Sequence, residues 1–374
     1  MMNRFFSRLS PQSGSSSRAT LQGIDQERFY EFYTSLAAQI KTLDDQLARE
    51  SRFSLAWILS ALEFVRSLHS SIYTLIEEVW LPVRKTVGID VVDTYFGLSV
   101  RLLEICNYLR DGVCELEYFQ LSLEHCLGTL AGLVASEGDS AESVTGKKHL
   151  ERCRAELEKM ESKTTPNLWL KLKGNSSSSS GNKKQVEPGL SLLERSVSVI
   201  PAPSDNKKAF LIAQVMRDVR EVLIFICSLL LWVMTDTSEP FSFHSYALHG
   251  PRSSPGLADA WAVALFNMRD RIQHSELTQK KPNCALCLKE IRAVYDAVRD
   301  LMGKVVREGE RREERVADQS DTLRSSLEES RRKLEDMTHI SDRLSGDIVI
   351  GPSLSDYPQR TCEAPTPTFK LQVA

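Results

Sequence analysis

Cysteine is sparse in this sequence: eight residues in 374 are too few for a disulfide scaffold to hold a chain of this length. Cys106, Cys126 and Cys227 fall at core-like positions of apolar stretches, and no secretory h-region opens the sequence, so a reducing compartment is expected. Charge of one sign is missing too. With 47 basic against 50 acidic residues the net charge is −3, and no global field draws the protein onto a polyanion. Nucleic acid is therefore not an expected partner. Long hydrophobic runs are also short of what a membrane needs. The apolar run from Val222 to Met234 covers about 20 Å as helix, against a hydrocarbon core about 30 Å thick. Extending it backwards enlists Arg217, Asp218, Arg220 and Glu221, each costing roughly 2.5–3.5 kcal/mol near the centre of a span. A protein-buried core helix is the expectation, with a single-pass anchor at 222–234 as the alternative.

The motifs that carry catalysis are lacking as well. No G-x-G-x-x-G or G-x-x-x-x-G-K-[ST] offers a phosphate cradle, and neither H-E-x-x-H nor G-x-S-x-G occurs. Cys284 and Cys287 form the sole C-x-x-C, without the further ligands zinc requires, so packing is expected there. His69 and His125 lie inside helical patterns and are expected at the core edge or surface. His244 and His249 stand isolated in a loop. Acids are dense only beside arginines near the C-terminus, as on a solvated face. The expectation is a non-enzymatic protein with no catalytic residue, no cofactor and no metal. An enzyme whose residues converge only on folding is the second alternative.

What the sequence does contain is helical periodicity. Phe29, Phe32, Leu36, Ile40, Leu43 and Leu47 recur at three- and four-residue steps, which places them on one helix face. Leu55, Ile58, Leu62, Val65, Ile72, Leu75 and Val79 form a second stripe, ended by Pro82, and the two predict an antiparallel pair. From Asp90 to Leu133, the stripe Val100, Leu103, Cys106, Leu109, Leu116, Leu123 and Leu130 predicts one long helix or two divided near Asp111-Gly112. Further helices are expected over Lys148 to Glu161 and Ala209 to Met234. Ser254-Pro255 reads as an N-cap with proline in the first helical position, opening a helix through Trp261, Leu265 and Met268. The last helical stretch starts near Cys284 and carries Leu288, Ile291, Val294, Val298, Leu301 and Val305. It loses apolar residues between Glu308 and Arg315, then regains a heptad-like seam at Val316, Leu323, Leu327, Leu334, Met337 and Leu344. That seam predicts either an isolated solvated helix or a partner-binding coiled coil.

These patterns make an all-α protein, an elongated multi-helix bundle with a disordered mid-chain linker, a charged C-terminal helix and irregular tails. The expected organisation begins with a basic, serine-rich tail over 1–24 and an N-terminal helical bundle over 25–163. A serine-rich linker follows over 164–205, where Ser176 to Ser180 bury too little to offset their ordering entropy. Helices completing the bundle occupy 206–306, the charged helix 307–345 and an irregular tail 346–374. The first tail, with Arg4, Arg8, Arg18 and no acid, has transit-peptide-like composition, but Pro11 and Gly14 favour a flexible segment. Arg195 stands three residues before Ser198, the spacing basophilic kinases read.

Leu55-Ala56-Trp57, Leu81-Pro82-Val83, Asp93-Thr94-Tyr95 and the run Ser99-Val100-Arg101-Leu102-Leu103-Glu104-Ile105-Cys106-Asn107 together resemble the plant Bypass-like family, whose relatives include exocyst-interacting proteins. The likeness is densest over Leu55 to Asn107 and continues as a helix pattern to about Val306. It implies a helical protein without assigned enzymatic activity, linked to root and shoot development and, in some relatives, to exocytosis. The implied partners are proteins, exocyst subunits among them, with membrane association and a cytoplasmic location. The serine linker and charged C-terminal extension depart from the shorter family pattern, so partner choice does not carry over. Structurally, Tyr95, Val100, Leu103 and Cys106 are expected in the core with Trp57 nearby, and Asp93 suits a helix N-terminus.

Overall fold

The computed structural model describes residues 16–50, 52–79, 90–135, 144–162, 207–234, 260–274, 288–308 and 313–349. Periodicity becomes helix throughout: α1 (Ser16–Arg49), α2 (Leu55–Val79), α3 (Asp90–Ala135), α4 (Val144–Ser162), α5 (Lys207–Met234), α6 (Ala260–His274), α7 (Lys289–Glu308) and α8 (Glu313–Val349). The protein is an all-α bundle. Among the described residues the one extended pairing is an isolated bridge between Phe53 and Leu288.

α1 and α2 form the antiparallel pair that their stripes predict. At one end the Trp57 indole donates to the Leu43 carbonyl at 3.2 Å, and at the other Arg28 meets Glu78 at 3.4 Å. The corner between them is built from three elements. Ser54 caps α2 by accepting from the Trp57 amide at 3.1 Å, while both Glu290 oxygens, from the first turn of α7, accept from the Leu55 amide. Lys289 donates back to the Phe53 carbonyl at 2.8 Å, and Phe53 sets its ring edgewise on Trp57 and Trp232.

α3 is the axis of the bundle, packing on α4, α5, α7 and α8. It runs unbroken through Asp111-Gly112, where two helices remained open as a reading. Gly112 has a packing reason: a Cβ there would lie 3.1 Å from Met234 Cβ, so its bare backbone lets the end of α5 approach. The expected stripe of α3 is buried at Cys106, Leu109, Leu116, Leu123 and Leu130, and only its start, at Val100 and Leu103, departs from expectation. Tyr95 and Cys106 are buried, but Val100 is 51% exposed and Leu103 only partly covered, while Leu98, Leu102, Ile105 and Leu109 face inward. At 3.6 residues per turn, Val100 stands about 140° round the helix from Tyr95, whereas Leu102 returns to it. Trp57 packs at the α1–α2 corner and not beside Tyr95. α3 begins at Asp90, which puts Asp93 in its first turn.

α5 lies against α2 and α3, and every residue from Val222 to Met234 is at most 5% exposed. Buried Asp218 accepts from the Tyr33 hydroxyl and the Gln214 amide, both at 2.7 Å, with Arg217 at 3.7 Å. Among the described residues no helix is long and apolar enough to cross a membrane, so the anchor reading of 222–234 finds no support there. α6 packs on α1 through Trp261, Leu265, Met268 and Ile272, fastened by an Arg271 fork on the buried Asp44 at 2.8 and 3.2 Å.

α8 is neither an isolated helix nor a coiled coil awaiting a partner. It docks antiparallel along α3 and also on α2 and α7. Gln120 donates to the Leu327 carbonyl, Arg110 pairs with Asp342, and Arg66 reaches Asp347 at 2.7 Å. α1 begins at Ser16, inside the segment expected as a tail, and α8 continues to Val349, past the expected end at 345. The linker 164–205, His244, His249, Ser254-Pro255, Cys284, Cys287 and Ser198 lie outside the described residues.

Candidate functional site

Two buried or partly buried polar clusters and one exposed apolar stripe are the candidate sites among the described residues. The first is the seam between α2 and α3, inside the motif segment. His69 is buried there, its ring stacked on Tyr95 at 5.5 Å, with Nε2 3.2 Å from the Tyr95 hydroxyl and 3.2 Å from Ser99 Oγ. The Ser99 hydroxyl donates to the Tyr95 carbonyl one turn back, at 2.9 Å. Burial lowers the His69 pKa to about 4 and raises that of Tyr95 to about 12, so both groups are neutral at pH 7. Neutral His69 ties α2 to α3 through one ring nitrogen, which contacts both Tyr95 and Ser99. His69 thus sits deeper than the core-edge position its pattern suggested.

The second place is the α3–α4 contact. His125 is largely exposed and pairs through Nδ1 with Glu156 at 3.1 Å, and beside them Cys126 of α3 faces Cys153 of α4. Cys126 was expected in the core and is there; Cys106 and Cys227 are likewise buried. Cys153 and Glu156 were not singled out from the sequence. Cys153 falls on the α4 stripe with Leu150, Leu157 and Met160, but nothing local announces which helix that stripe meets. Among the described residues no group of three His, Cys, Asp or Glu side chains could hold a metal ion.

The third place is the outer face of α3. Phe96 and Val100 stand 44% and 51% exposed at a four-residue step, with Leu103 half-covered three residues further on. Their neighbours Leu98, Leu102 and Ile105 are buried, so a rigid inner stripe supports an apolar outer one. A shallow groove of about 290 Å³ between α1 and α2 adds Arg28, Glu31, Ser70, Thr74 and Glu78 over a floor of Phe32, Leu36 and Leu75.

No family model matches the sequence, and no solved structure does. UPF0496 protein 4 of Oryza sativa subsp. indica is 24% identical over 343 residues, 90% of this chain and 65% of that protein. UPF0496 protein 4 of subsp. japonica is 23% identical over 280 residues, 74% of this chain and 54% of its own length. Protein BPS1, chloroplastic, of Arabidopsis thaliana is 29% identical over 135 residues, 34% of this chain and 38% of that one. The chain is distantly similar to these plant proteins. It spans less than two thirds of the length of each. The likeness to BPS1 agrees with the Bypass-like resemblance of the motif segment, and a plant regulatory protein fits both.

Proposed function

We propose that the chain is a non-enzymatic adaptor of the Bypass type, acting in developmental signalling or exocyst-linked vesicle traffic by binding protein partners on its helix surfaces. The observation that carries this reading is the apolar stripe Phe96, Val100 and Leu103 on the outer face of α3, inside the segment that resembles the Bypass-like family. An apolar ridge on a helix whose other face is locked into a core is pre-organised, so a partner helix laid along it pays little ordering entropy. In this reading the protein is cytoplasmic and any attachment to membranes is peripheral, through the partner. Its chemistry is binding alone.

The test is affinity purification of the full chain from plant tissue, wild type beside the double variant Phe96→Asp/Val100→Asp. Both positions are exposed, so the variant keeps the wild-type melting temperature and loses its partners. Exocyst subunits among the proteins lost would assign the activity to vesicle traffic. A folded variant that retains every wild-type partner would remove the α3 surface from consideration.

A further inference from the structure

Cys126 and Cys153 are buried on facing sides of α3 and α4. The Cys126 sulfur lies 3.9 Å from the Cys153 carbonyl oxygen and 3.5 Å from Glu156 Oε2. The Cys126 thiol therefore lies directly against residue Cys153, with the Glu156 carboxylate beside it. We propose that Cys126 and Cys153 are a peroxide-sensitive thiol pair that closes into a reversible disulfide and locks α4 onto α3.

The surroundings divide the labour between the two sulfurs. The Glu156 carboxylate 3.5 Å from Cys126 disfavours a thiolate there. The Cys126 pKa is accordingly pushed up, first by its interaction with Cys153, then by burial and by Glu156, while the interaction with Cys126 holds Cys153 below the ordinary thiol value. Cys153 is therefore the attacking thiolate and Cys126 the resolving thiol. The Cys153 thiolate attacks one oxygen of hydrogen peroxide and the O–O bond breaks. Hydroxide leaves, takes up the thiol proton as water, and Cys153 becomes a sulfenic acid. The Cys126 sulfur then attacks the Cys153 sulfur, the S–O bond breaks, and the departing hydroxide takes the Cys126 proton. Two thiols and one peroxide yield one disulfide and two waters.

Access comes from the way α4 is held. It packs chiefly on α3, so local opening of this one helix uncovers both thiols while the rest of the bundle stays folded. Once formed, the bond prevents that opening. In a reducing compartment cellular thiols reverse it, as a switch requires.

The full chain is treated with hydrogen peroxide without denaturant, remaining thiols are alkylated, and peptides are mapped without reduction. The expected product joins the Cys126 and Cys153 peptides, disappears with dithiothreitol, and forms equally in Cys114→Ser, whose thiol is exposed. Amide exchange over Val144–Ser162 slows on oxidation and recovers on reduction. In Cys126→Ala oxidation stops at Cys153 sulfenic acid, trapped by dimedone. The mapping of the wild-type chain stands even if a variant fails to fold. A folded wild-type chain in which Cys114 oxidises while no Cys126–Cys153 link appears, or in which the link forms only in denaturant, overturns the proposal.

Discussion

α5 is apolar on every side over Val222–Met234 and lies buried against α2 and α3, whereas α8 is densely charged and buries one narrow seam. In that seam Leu327, Leu334, Met337 and Leu344 are interspersed with Ser320, Ser330 and Ser341, all buried. The serines are small enough to let α8 approach its neighbours closely, and Ser330 satisfies its hydroxyl on the Ser326 carbonyl at 3.0 Å. An all-apolar helix must be covered by something but says little about its orientation. A helix with one seam fixes its own rotation and leaves its charges in water. Hydropathy ranks the two helices far apart, yet both are structural members of the bundle.

The comparison breaks most sharply at Leu223. An unpaired carboxylate in that position costs several kcal/mol against a typical total stability of about 5–15 kcal/mol. Leu223→Asp is expected to abolish the cooperative thermal transition seen by circular dichroism. A variant that melts like wild type and changes only in membrane fractionation would mean that lipid covers this helix.

Leu334→Ala tests whether the α8 seam is equally committed. Leu334 is fully buried, so its truncation should cost about 3 kcal/mol, read as a shift in urea midpoint at unchanged slope. A loss below about 1 kcal/mol would show that the charged helix is only loosely laid on α3.

His69 sharpens the picture through pH. Its folded pKa, lowered by burial to about 4, lies beneath the unfolded value of 6.5, so between those values the unfolded chain binds the extra proton. The stability contributed by the neutral ring is whole above pH 6.5 and is lost as pH falls towards 4, on the order of 3 kcal/mol. Urea midpoints across that window should fall steeply in the wild type and much less in His69→Gln.

Gly112→Ala separates helix propensity from packing. Alanine favours the helix by about 1 kcal/mol, but its Cβ would meet the stiff Met234 Cβ, where overpacking costs about 1–3 kcal/mol. A net loss of about 1 kcal/mol is expected, smaller in a Met234→Gly background, which lacks the opposing Cβ. The smallest effect belongs to the pair Arg110–Asp342, which is largely solvated. Arg110→Ala should cost less than about 1 kcal/mol, a difference that shrinks at high salt.

Most helices were legible because a three- and four-residue step is a local property. The stripes of α1 and α5, and that of α2 from Leu55 to Leu75, agree with the residues buried. Only the start of α3 was harder to read, because the helix is apolar on more than one side there. Val100 and Leu103 belong to an outer stripe that composition alone does not distinguish from the inner one of Leu98, Leu102 and Ile105. At the α3–α4 site, Cys126 was recognisable as a core residue. Its meeting with Cys153 was not, since the residues between them carry no signal of how α4 returns.

Composition and periodicity by themselves determined that this protein is helical and where most helices run, and they favoured a protein-buried over a membrane-spanning reading of Val222–Met234. Only the tertiary structure decided that the seam of α8 closes on α3 and α2 within one chain, that Asp218 is buried against Tyr33, and that Glu290 caps a helix more than two hundred residues earlier. The division has one physical cause. Backbone hydrogen bonding and side-chain alternation act over a few residues and leave their period in the sequence. The choice of partner for each apolar face is made among several faces of similar hydrophobicity, and packing and buried polar pairing settle it only once the chain has folded.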